Sequence, residues 1–298
     1  MPVFNAGLYL EECIKSVLRQ SLANFEFLII NDGSTDNSLK IIKKFQKIDD
    51  RIICITRENK GLIYSLNEGI NLSKGAYIAR MDADDVCYPE RLEEQYDFMK
   101  KNHLDICGGD YQVICEKGLP IKNLIVPKKE SEILLSLASN VPFAHPSVMI
   151  KKEFLSSNNL RYGIFGHKYA EDLDLWVRMY QAGAKFGNLS IPLIKYRHVN
   201  NSSSRINYIP MKWETTKTYN SFVYNNLAKF KATLYQFCTQ KPEIKVREKE
   251  ATRALLRYLS FKFDFKLLLN FLKIVSLKNF IVGVLSYINS KLIIKWIK

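Results

Sequence analysis

The sequence lacks several features that would assign it to a common class of protein. None of its six cysteines forms a C-x-x-C pair, and no cysteine–histidine spacing fits a zinc site. The N-terminus has no basic start followed by an apolar run, so no secretory leader is expected. The longest uncharged stretches, such as 279–290, are shorter than the roughly 20 residues that span a membrane. These absences favour a reducing compartment, where single cysteines serve as small buried residues.

Acidic residues are scarce in the last third of the chain. The 298 residues carry a net charge of +14, but residues 1–205 hold 27 lysines and arginines against 25 aspartates and glutamates. Residues 206–298 hold 17 against 5. We therefore predict two domains, 1–205 and a basic region 206–298 that faces an anionic partner. No nucleic-acid recognition module is present, so a membrane surface is the favoured partner and nucleic acid is not expected.

Short apolar runs alternate with helical patterns over the first two hundred residues. The runs Phe25–Ile30, Ile52–Ile55 and Ala76–Met81 are typical of buried strands, and each is followed by apolar residues at helical spacing. This βαβ order predicts an α/β fold with a mostly parallel sheet flanked by helices. Only residues 1–4 precede the first turn, so we expect the first strand to be short or to start upstream.

Polar residues follow three of the predicted strands. These are Asn5, the segment 31–36 and the acidic segment 82–85. Because ligands of parallel sheets bind at the carboxyl ends of strands, the three segments predict a nucleotide site at one edge of the sheet. Taken alone, Asp32 and Asp36 would also fit ordinary turn and helix-cap chemistry.

The segment 82–85 places three carboxylates within four residues. Such carboxylates repel one another unless a cation or solvent offsets their charge. Mg²⁺ and Mn²⁺ prefer oxygen ligands and commonly bind one or two carboxylates together with substrate phosphates. The segment therefore predicts a divalent-metal site at a diphosphate, and the alternative is a solvated acidic loop before a helix.

Four ordered motifs carry a family resemblance. Over residues 1–205 the chain resembles the family 2 glycosyltransferases, which have the Rossmann-like GT-A fold. Family members of the inverting type transfer a sugar from a nucleotide donor with the help of Mn²⁺ or Mg²⁺. The motifs are Met1–Asn5, Ile30–Asp36, Asn59–Leu62 and Ala79–Asp85.

The resemblance implies a role for each matching residue. Asp84 and Asp82 would bind the metal, and His198 from the later Tyr196-Arg197-His198 segment would complete the site or contact the diphosphate. The alternative for His198, a lone histidine at a strand end, is a structural role. Arg80 would approach the phosphates, or else form a salt bridge at the sheet edge. The residues implied at the nucleotide are Pro2, Val3, Asn5, Asp32, Asn59, Arg80 and Asp82.

A second acidic motif lies at the predicted start of a helix, in Glu171-Asp172-Leu173-Asp174. Carboxylates in a first helical turn are favoured by the helix dipole alone. The resemblance implies a further role, with Asp172 as the general base that deprotonates the acceptor and Glu171 orienting the acceptor or the base. We expect Asp174 to face solvent.

Two other signals bear on the reaction. His145, in Ala144-His145-Pro146-Ser147, matches a recurrent stretch of the family near the acceptor, but a structural role is the favoured interpretation. The Q-x-x-R-W motif of processive synthases is absent after Trp176, which favours a single addition over polymerisation.

The basic segment 255–297 alternates apolar and cationic residues. An apolar stripe along one helix, with lysines beside it, is typical of a helix that lies at a membrane interface. The alternative is a helix packed on the catalytic domain with a solvated lysine face. The stripe residues are Phe261, Phe265, Leu268, Leu272 and Val275, and the lysines are Lys262, Lys266 and Lys273.

Together these features predict an inverting, metal-dependent transferase that moves a hexose from a nucleotide sugar, with UDP favoured. The acceptor would be a glycan or lipid-linked glycan of surface polysaccharide synthesis, reached from the cytoplasmic face of the membrane by a peripheral enzyme. One alternative is a nucleotidyltransferase, although Asn5-Ala6-Gly7 lacks the basic, glycine-rich loop it requires. Another is a non-catalytic membrane-associated binding protein.

Overall fold

The computed structural model describes residues 1–164, 166, 168–200, 202–239 and 245–297. These residues form two compact units, each assembled from separate stretches of the chain. We call residues 1–126, 143–164 and 178–202 the first unit, and residues 127–142, 165–177 and 203–298 the second unit. The predicted boundary near 205 stays a prediction, but two earlier stretches group with the basic C-terminal residues. The six cysteines form no disulfide.

A three-stranded parallel sheet begins the first unit. Its strands are β1 (Pro2–Val3), β2 (Phe27–Asp32) and β3 (Ile52–Arg57), in the order β1-β2-β3. The register places Pro2 beside Ile30 and Phe27 beside Ile52. Apolar residues of β2 are buried against the helix that follows β1, which explains why this run carries almost no polar side chain before its last two residues.

A second sheet of six strands completes the first unit. The strands are β4 (Tyr77–Ala79), β5 (Val86–Cys87), β6 (Ile106–Cys115), β7 (Pro120–Leu124), β8 (Met149–Lys151) and β9 (Phe186–His198). In this sheet β6 and β9 are parallel, whereas the pairs β4–β8, β5–β9, β6–β7 and β6–β8 are antiparallel. The α/β class is confirmed, with the parallel ladders in the first sheet and at β6–β9.

Helices alternate with these strands and then dominate the second unit. Leu10, Ile14 and Val17 of the first helix are buried, as their helical spacing predicts. The helices of the first two hundred residues are α1 (Leu10–Leu18), α2 (Ser38–Gln46), α3 (Leu62–Leu72), α4 (Arg91–Asn102), α5 (Glu130–Leu137), α6 (Lys152–Ser157) and α7 (Glu171–Gln181). Those that follow are α8 (Ser203–Ile206), α9 (Tyr208–Asn225), α10 (Leu227–Thr239), α11 (Lys245–Phe261), α12 (Phe265–Leu272) and α13 (Leu277–Ile297).

The predicted apolar stripe does not lie on one continuous helix. Helix α11 ends at Phe261, and α12 begins at Phe265. The side chain of Asp264 accepts a hydrogen bond from the Leu267 backbone N–H at 2.9 Å and so starts a new helix. Val275 lies beyond α12 and is buried. The stripe prediction is therefore wrong in its continuity, because a helix cap inside it resets the helical phase.

The helices that the structure describes differ in length and in apolar content. Among them, none is both long enough and apolar enough to pass through a bilayer.

Candidate active site

The acidic loop, residues 82–85, follows β4 directly. Oxygen atoms of Asp82, Asp84 and Asp85 lie within 4.8 Å of one another. Two of the three predicted metal ligands therefore meet, and Asp85 joins them. Within the described residues, the group comprises these three aspartates, and His198 is not a member.

Asp85 is the most buried member of the loop. Its Oδ1 accepts a hydrogen bond from the Arg197 backbone N–H at 2.7 Å, whereas Oδ2 is buried without a hydrogen-bond partner among the described residues. Burial and the neighbouring charges of Asp82 and Asp84 raise the pKa of Asp85 well above its usual value. An unsatisfied buried carboxylate oxygen costs free energy unless a donor or a cation reaches it, so the loop fits a cation.

The charged form of Asp84 is also disfavoured by its surroundings. Burial, and then the charge of Asp82, raise the pKa of Asp84 to about 6. Like charges at this separation disfavour full ionisation, and a divalent cation bound between them would reverse that effect. The donor set is all oxygen, which is the set that Mn²⁺ and Mg²⁺ prefer. The residues present therefore fit the predicted metal.

Arg80 lies at the end of β4 and is buried. Its guanidinium forms an ion pair with the Asp82 carboxylate, and its own carbonyl accepts a hydrogen bond from Arg91 Nη2 at 2.7 Å. Burial opposes the charge of Arg80, but Asp82 outweighs it and the pKa of Arg80 is raised. The salt bridge considered as an alternative is thus present, and contact with phosphate stays a prediction.

Arg197 is a second cation at the loop, and the sequence motifs do not predict its role there. Its Nε donates to the Asp84 carbonyl at 2.8 Å, and its guanidinium pairs with Glu12. The same guanidinium lies 4.6 Å from the centre of the Tyr9 ring. These contacts tie the acidic loop to α1 and β9. In the sequence, the signal for Arg197 is its place within Tyr196-Arg197-His198, immediately before the predicted metal ligand His198.

The two histidines named from the sequence occupy different environments. His198 is exposed at the end of β9, opposite Cys115 of β6, and its role at a metal stays a prediction. The Nε2 of His145 lies 3.0 Å from the Tyr162 hydroxyl. Burial, reinforced by Arg80, lowers the pKa of His145 well below its usual value. His145 is therefore a neutral, hydrogen-bonded residue, in keeping with a structural role.

The turns that follow β1 and β2 are joined to each other. Asn5 adopts a left-handed backbone, with φ of 50°. Its side-chain oxygen accepts from the Thr35 backbone N–H at 2.8 Å, and its own backbone N–H donates to Ser34 Oγ at 3.1 Å. Pro2 and Val3 pair directly with β2. The predicted nucleotide-binding residues of β1 thus share one sheet edge with those of β2.

Asp32 ends β2 and holds the loop that follows β3. Its two carboxylate oxygens accept from the backbone N–H groups of Lys60 and Gly61, at 2.8 and 2.9 Å, and the carboxylate pairs with Arg57. The Asn59 side chain donates to the Asp32 carbonyl at 2.9 Å. Asp32 and Asn59, both predicted at the nucleotide, are therefore brought together, with Asp32 itself buried.

Glycine is required at one point of this edge. Gly33 has φ of 73°, and a Cβ added there would lie 2.6 Å from the Asn59 backbone nitrogen. Any larger residue would push apart the turn after β2 and the loop after β3. The glycine of the Asn31-Asp32-Gly33 motif thus permits the close approach of the two segments.

A cavity of about 740 Å³ also lies in the first unit, between β2 and β4. Its walls include Phe27, Ile30, Ile78 and other apolar side chains. Arg80 and Arg91 also border the cavity, but most of its lining is apolar and matches a charged diphosphate poorly, so the acidic edge is the better candidate site.

The predicted base lies on α7, in the stretch that belongs to the second unit. Glu171 is buried and Asp172 is half-buried, and Asp172 Oδ1 accepts from the Leu173 backbone N–H at 2.7 Å. Asp174 is buried, so the expectation that it faces solvent is wrong. The reason is that α7 is enclosed around its whole circumference, with Leu173, Leu175 and neighbouring residues also buried.

The chain is similar in sequence to known glycosyltransferases. The family model described as "Glycosyl transferase family 2" matches residues 1–157. The O-antigen biosynthesis glycosyltransferase WbnJ of Escherichia coli is 32% identical over 241 residues, which cover 80% of this chain and 93% of WbnJ. The putative teichuronic acid biosynthesis glycosyltransferase TuaG of Bacillus subtilis is 30% identical over 230 residues, covering 76% and 86%.

Two solved structures share the fold. S. aureus TarS 1–349 in complex with UDP superposes with a TM-score of 0.60 at 16% identity, covering 99% of this chain and 88% of that protein. The mannosyltransferase PcManGT from Pyrobaculum calidifontis, in complex with GDP-Man and Mn²⁺, gives a TM-score of 0.59 at 12% identity, covering 100% and 86%. At these identities the likeness concerns the fold alone.

Proposed function

Because the chain belongs to glycosyltransferase family 2, we propose that it transfers a hexose, with inversion, from a nucleotide sugar to a glycan or lipid-linked glycan of surface polysaccharide synthesis. UDP is the proposed nucleotide, and the complexes of TarS and the name of WbnJ support the donor and acceptor classes. The observation that carries the proposal is the group of three aspartates at the end of β4.

The donor would bind at the carboxyl edge of the first sheet. Asp84 and Asp82 would hold Mn²⁺ or Mg²⁺, with His198 as a further proposed ligand. A cation bound there supplies the positive charge that stabilises a departing nucleoside diphosphate. Arg80 keeps the Asp82 carboxylate in place, whether or not it also meets phosphate. The residues proposed at the base, ribose and phosphates are Pro2, Val3, Asn5, Asp32, Asn59, Arg80 and Asp82.

The acceptor side of the reaction is assigned to the start of α7. Asp172 would take the proton of the acceptor hydroxyl as that oxygen bonds to the anomeric carbon and the bond to the diphosphate oxygen breaks. Glu171 would orient the acceptor or the base. One displacement of this kind inverts the anomeric centre. Its support is the resemblance of Glu171-Asp172 to the family motif, together with the half-buried position of Asp172.

The proposed location of the enzyme is the cytoplasmic face of a membrane, to which it binds peripherally. The supporting observation is the charge distribution, because the last 93 residues hold 17 lysines and arginines against 5 acidic residues. Anionic lipid headgroups attract such a segment by roughly 1 kcal/mol per cation near the surface. A lipid-linked acceptor would be presented at the same surface.

A donor panel tests the proposal. Purified protein is given UDP-, GDP- and dTDP-sugars with Mn²⁺, with Mg²⁺ or with chelator, and release of the nucleoside diphosphate is measured. Metal-dependent release from a UDP-hexose is expected, and Asp172→Asn should lower transfer to the acceptor by about 10³-fold, the middle of the range for general base catalysis. Glu153→Gln, an exposed acid at the start of α6, serves as the matched control. Full activity of Asp172→Asn would remove the base assignment, and release from no donor would remove the function.

A further inference from the structure

Helix α12 and its preceding turn expose large apolar side chains to solvent. Phe263 is 72% exposed and Phe265 is 60% exposed. Phe265, Leu269 and Leu272 recur at spacings of four and three, so they share one face of α12. Leu267 and Phe271, on the opposite face, are buried, and Phe271 stacks on Phe237 of α10. The outward face is therefore apolar although the inward face already supplies the packing of the helix.

Helix α13 repeats the pattern within the same unit. Leu277 is 72% exposed and Leu285 is 61% exposed, and Ile281 lies between them on the same face. The opposite side approaches α11 closely, because a Cβ added at Gly283 would lie 2.6 Å from Thr252 Cβ. Two consecutive helices of the second unit thus each expose a row of large apolar side chains, and exposed apolar surface of this kind often marks an interaction site.

Cations border both stripes. Lys262, Lys266, Lys273 and Lys278 are all exposed. The sequence from 261 to 289 holds one acidic residue, Asp264, and its carboxylate caps α12 and pairs with Lys231 at 2.9 Å. The charge that this surface presents is therefore positive, with its one acid already engaged.

From this arrangement we propose that the outward faces of α12 and α13 form a docking face for an anionic lipid bilayer. The docking face consists of Phe263, Phe265, Leu269, Leu277, Ile281 and Leu285 with the four lysines. The apolar side chains enter the acyl boundary while the lysines meet phosphate headgroups, which is the chemistry of an interfacial helix. The docking face rests on the proposed function, because a lipid-linked acceptor requires the enzyme at the membrane surface.

Charge complementarity selects this occupant over a second copy of the chain. A copy of the same basic surface would bring lysines against lysines, which costs free energy. An anionic bilayer instead satisfies the lysines and removes the apolar side chains from water at the same time. Binding is expected to need both contributions, because a few lysines alone are screened at physiological salt.

Vesicle sedimentation of the full chain tests the docking face. Vesicles of phosphatidylglycerol and phosphatidylcholine are expected to bind the protein, and pure phosphatidylcholine vesicles much less. The pair Leu269→Ser with Leu285→Ser should weaken partitioning by about 100-fold or more, at roughly tenfold or more for each side chain buried in the bilayer. The pair Lys266→Ser with Lys273→Ser should weaken it about 25-fold at low salt, at roughly fivefold per lysine.

Matched controls come from the first unit. Leu119→Ser with Ile121→Ser removes two exposed apolar residues, and Lys101→Ser with Lys117→Ser removes two exposed cations. Neither pair should change vesicle binding. The docking-face proposal is overturned if the control pairs weaken vesicle binding as much as the test pairs do. It is also overturned if binding does not depend on the charge of the lipid. A concentration-dependent dimer in sedimentation velocity overturns it too, if the Leu269→Ser, Leu285→Ser pair abolishes that dimer while vesicle binding persists.

Transfer to a water-soluble acceptor is measured on the same preparations. All four variant pairs are expected to retain the wild-type rate, since none touches the proposed site. If no sample shows transfer but vesicle binding still depends on lipid charge, the proposed function is refuted. The docking-face proposal is then still supported.

Discussion

In the first unit, two carboxylates of the acidic loop, those of Asp82 and Asp85, lie beside fixed partners, whereas in the second unit the lysines of the docking face are exposed around a single engaged acid. Asp82 pairs with buried Arg80, and Asp85 accepts from the Arg197 backbone. Lys266 and Lys273, by contrast, extend into solvent. Buried charges act individually and at short range, while exposed charges act together and are weakened by salt. The first arrangement suits the positioning of a ligand, and the second suits attraction to a surface.

The sharpest test of this contrast is the neutralisation of one loop carboxylate. Asp84→Asn should lower turnover by about 10²- to 10³-fold, because it removes charge that a bound cation requires, and metal contacts are worth several kcal/mol. Asp97→Asn, which removes an exposed acid from α4, should leave turnover unchanged. Initial rates across a Mn²⁺ titration measure both. An Asp84→Asn enzyme with a wild-type metal dependence would separate the acidic loop from the metal.

The second largest effect is expected on stability, when Arg197 is removed from beside the acidic loop. Arg197→Met deletes the bonds to the Asp84 and Glu116 carbonyls and the pair with Glu12. A loss of about 2 kcal/mol in the free energy of unfolding is expected from the unpaired groups. Arg197→Lys should recover only part of it, since an ammonium lacks the planar fork. Urea unfolding measures the series, and a wild-type midpoint for Arg197→Met would show that the loop needs no such support.

A smaller effect is expected where Arg57 supports Asp32 at the end of β3. Arg57→Met leaves the Asp32 carboxylate with its backbone donors alone, so the loop after β3 should loosen. We expect KM for the donor to rise about tenfold, a loss near 1.4 kcal/mol of binding, with kcat within about twofold. The control is Arg51→Met, since Arg51 precedes β3 at the opposite end and pairs with Asp49. Equal KM changes in both variants would argue against a donor-binding role for the loop.

The smallest effect is expected for Asp264, the one acidic residue between positions 261 and 289. Asp264→Ala removes the cap of α12 and the pair with Lys231, which should cost about 1 kcal/mol of stability. Asp264→Asn keeps a capping oxygen and should lose less. The Lys231 ammonium and the Leu267 N–H lower the pKa of Asp264.

The pH dependence of that contribution has a definite sign. Because the pKa is lower in the folded state, the contribution of Asp264 is present above the ordinary aspartate pKa and is lost as pH falls through the lowered value. Urea midpoints of the wild type and Asp264→Ala should therefore converge in acid. A constant difference between the two urea midpoints, down to the lowered pKa of Asp264, would contradict a stabilising role for the ionised carboxylate.

Much of this molecule follows from the amino-acid sequence alone. The apolar runs predicted the strands at 27–32, 52–57 and 77–79, and the ordered motifs predicted a family membership that the family model confirms. These properties are local, since periodicity and turn residues act within a few residues of one another. The charge difference between the two parts of the chain is likewise a matter of composition. The roles of Asp172 and His198 stay predictions.

What only the tertiary structure decided are the contacts between residues far apart in sequence. Arg197 reaches Asp85 across 112 positions, and Glu12 reaches Arg197 across 185, so no local pattern could reveal either. The burial of Asp174 and the new helix at Asp264 also depend on what surrounds each residue. A side chain's neighbours are set by the packing of whole elements, and packing is a property of the folded chain rather than of any short segment.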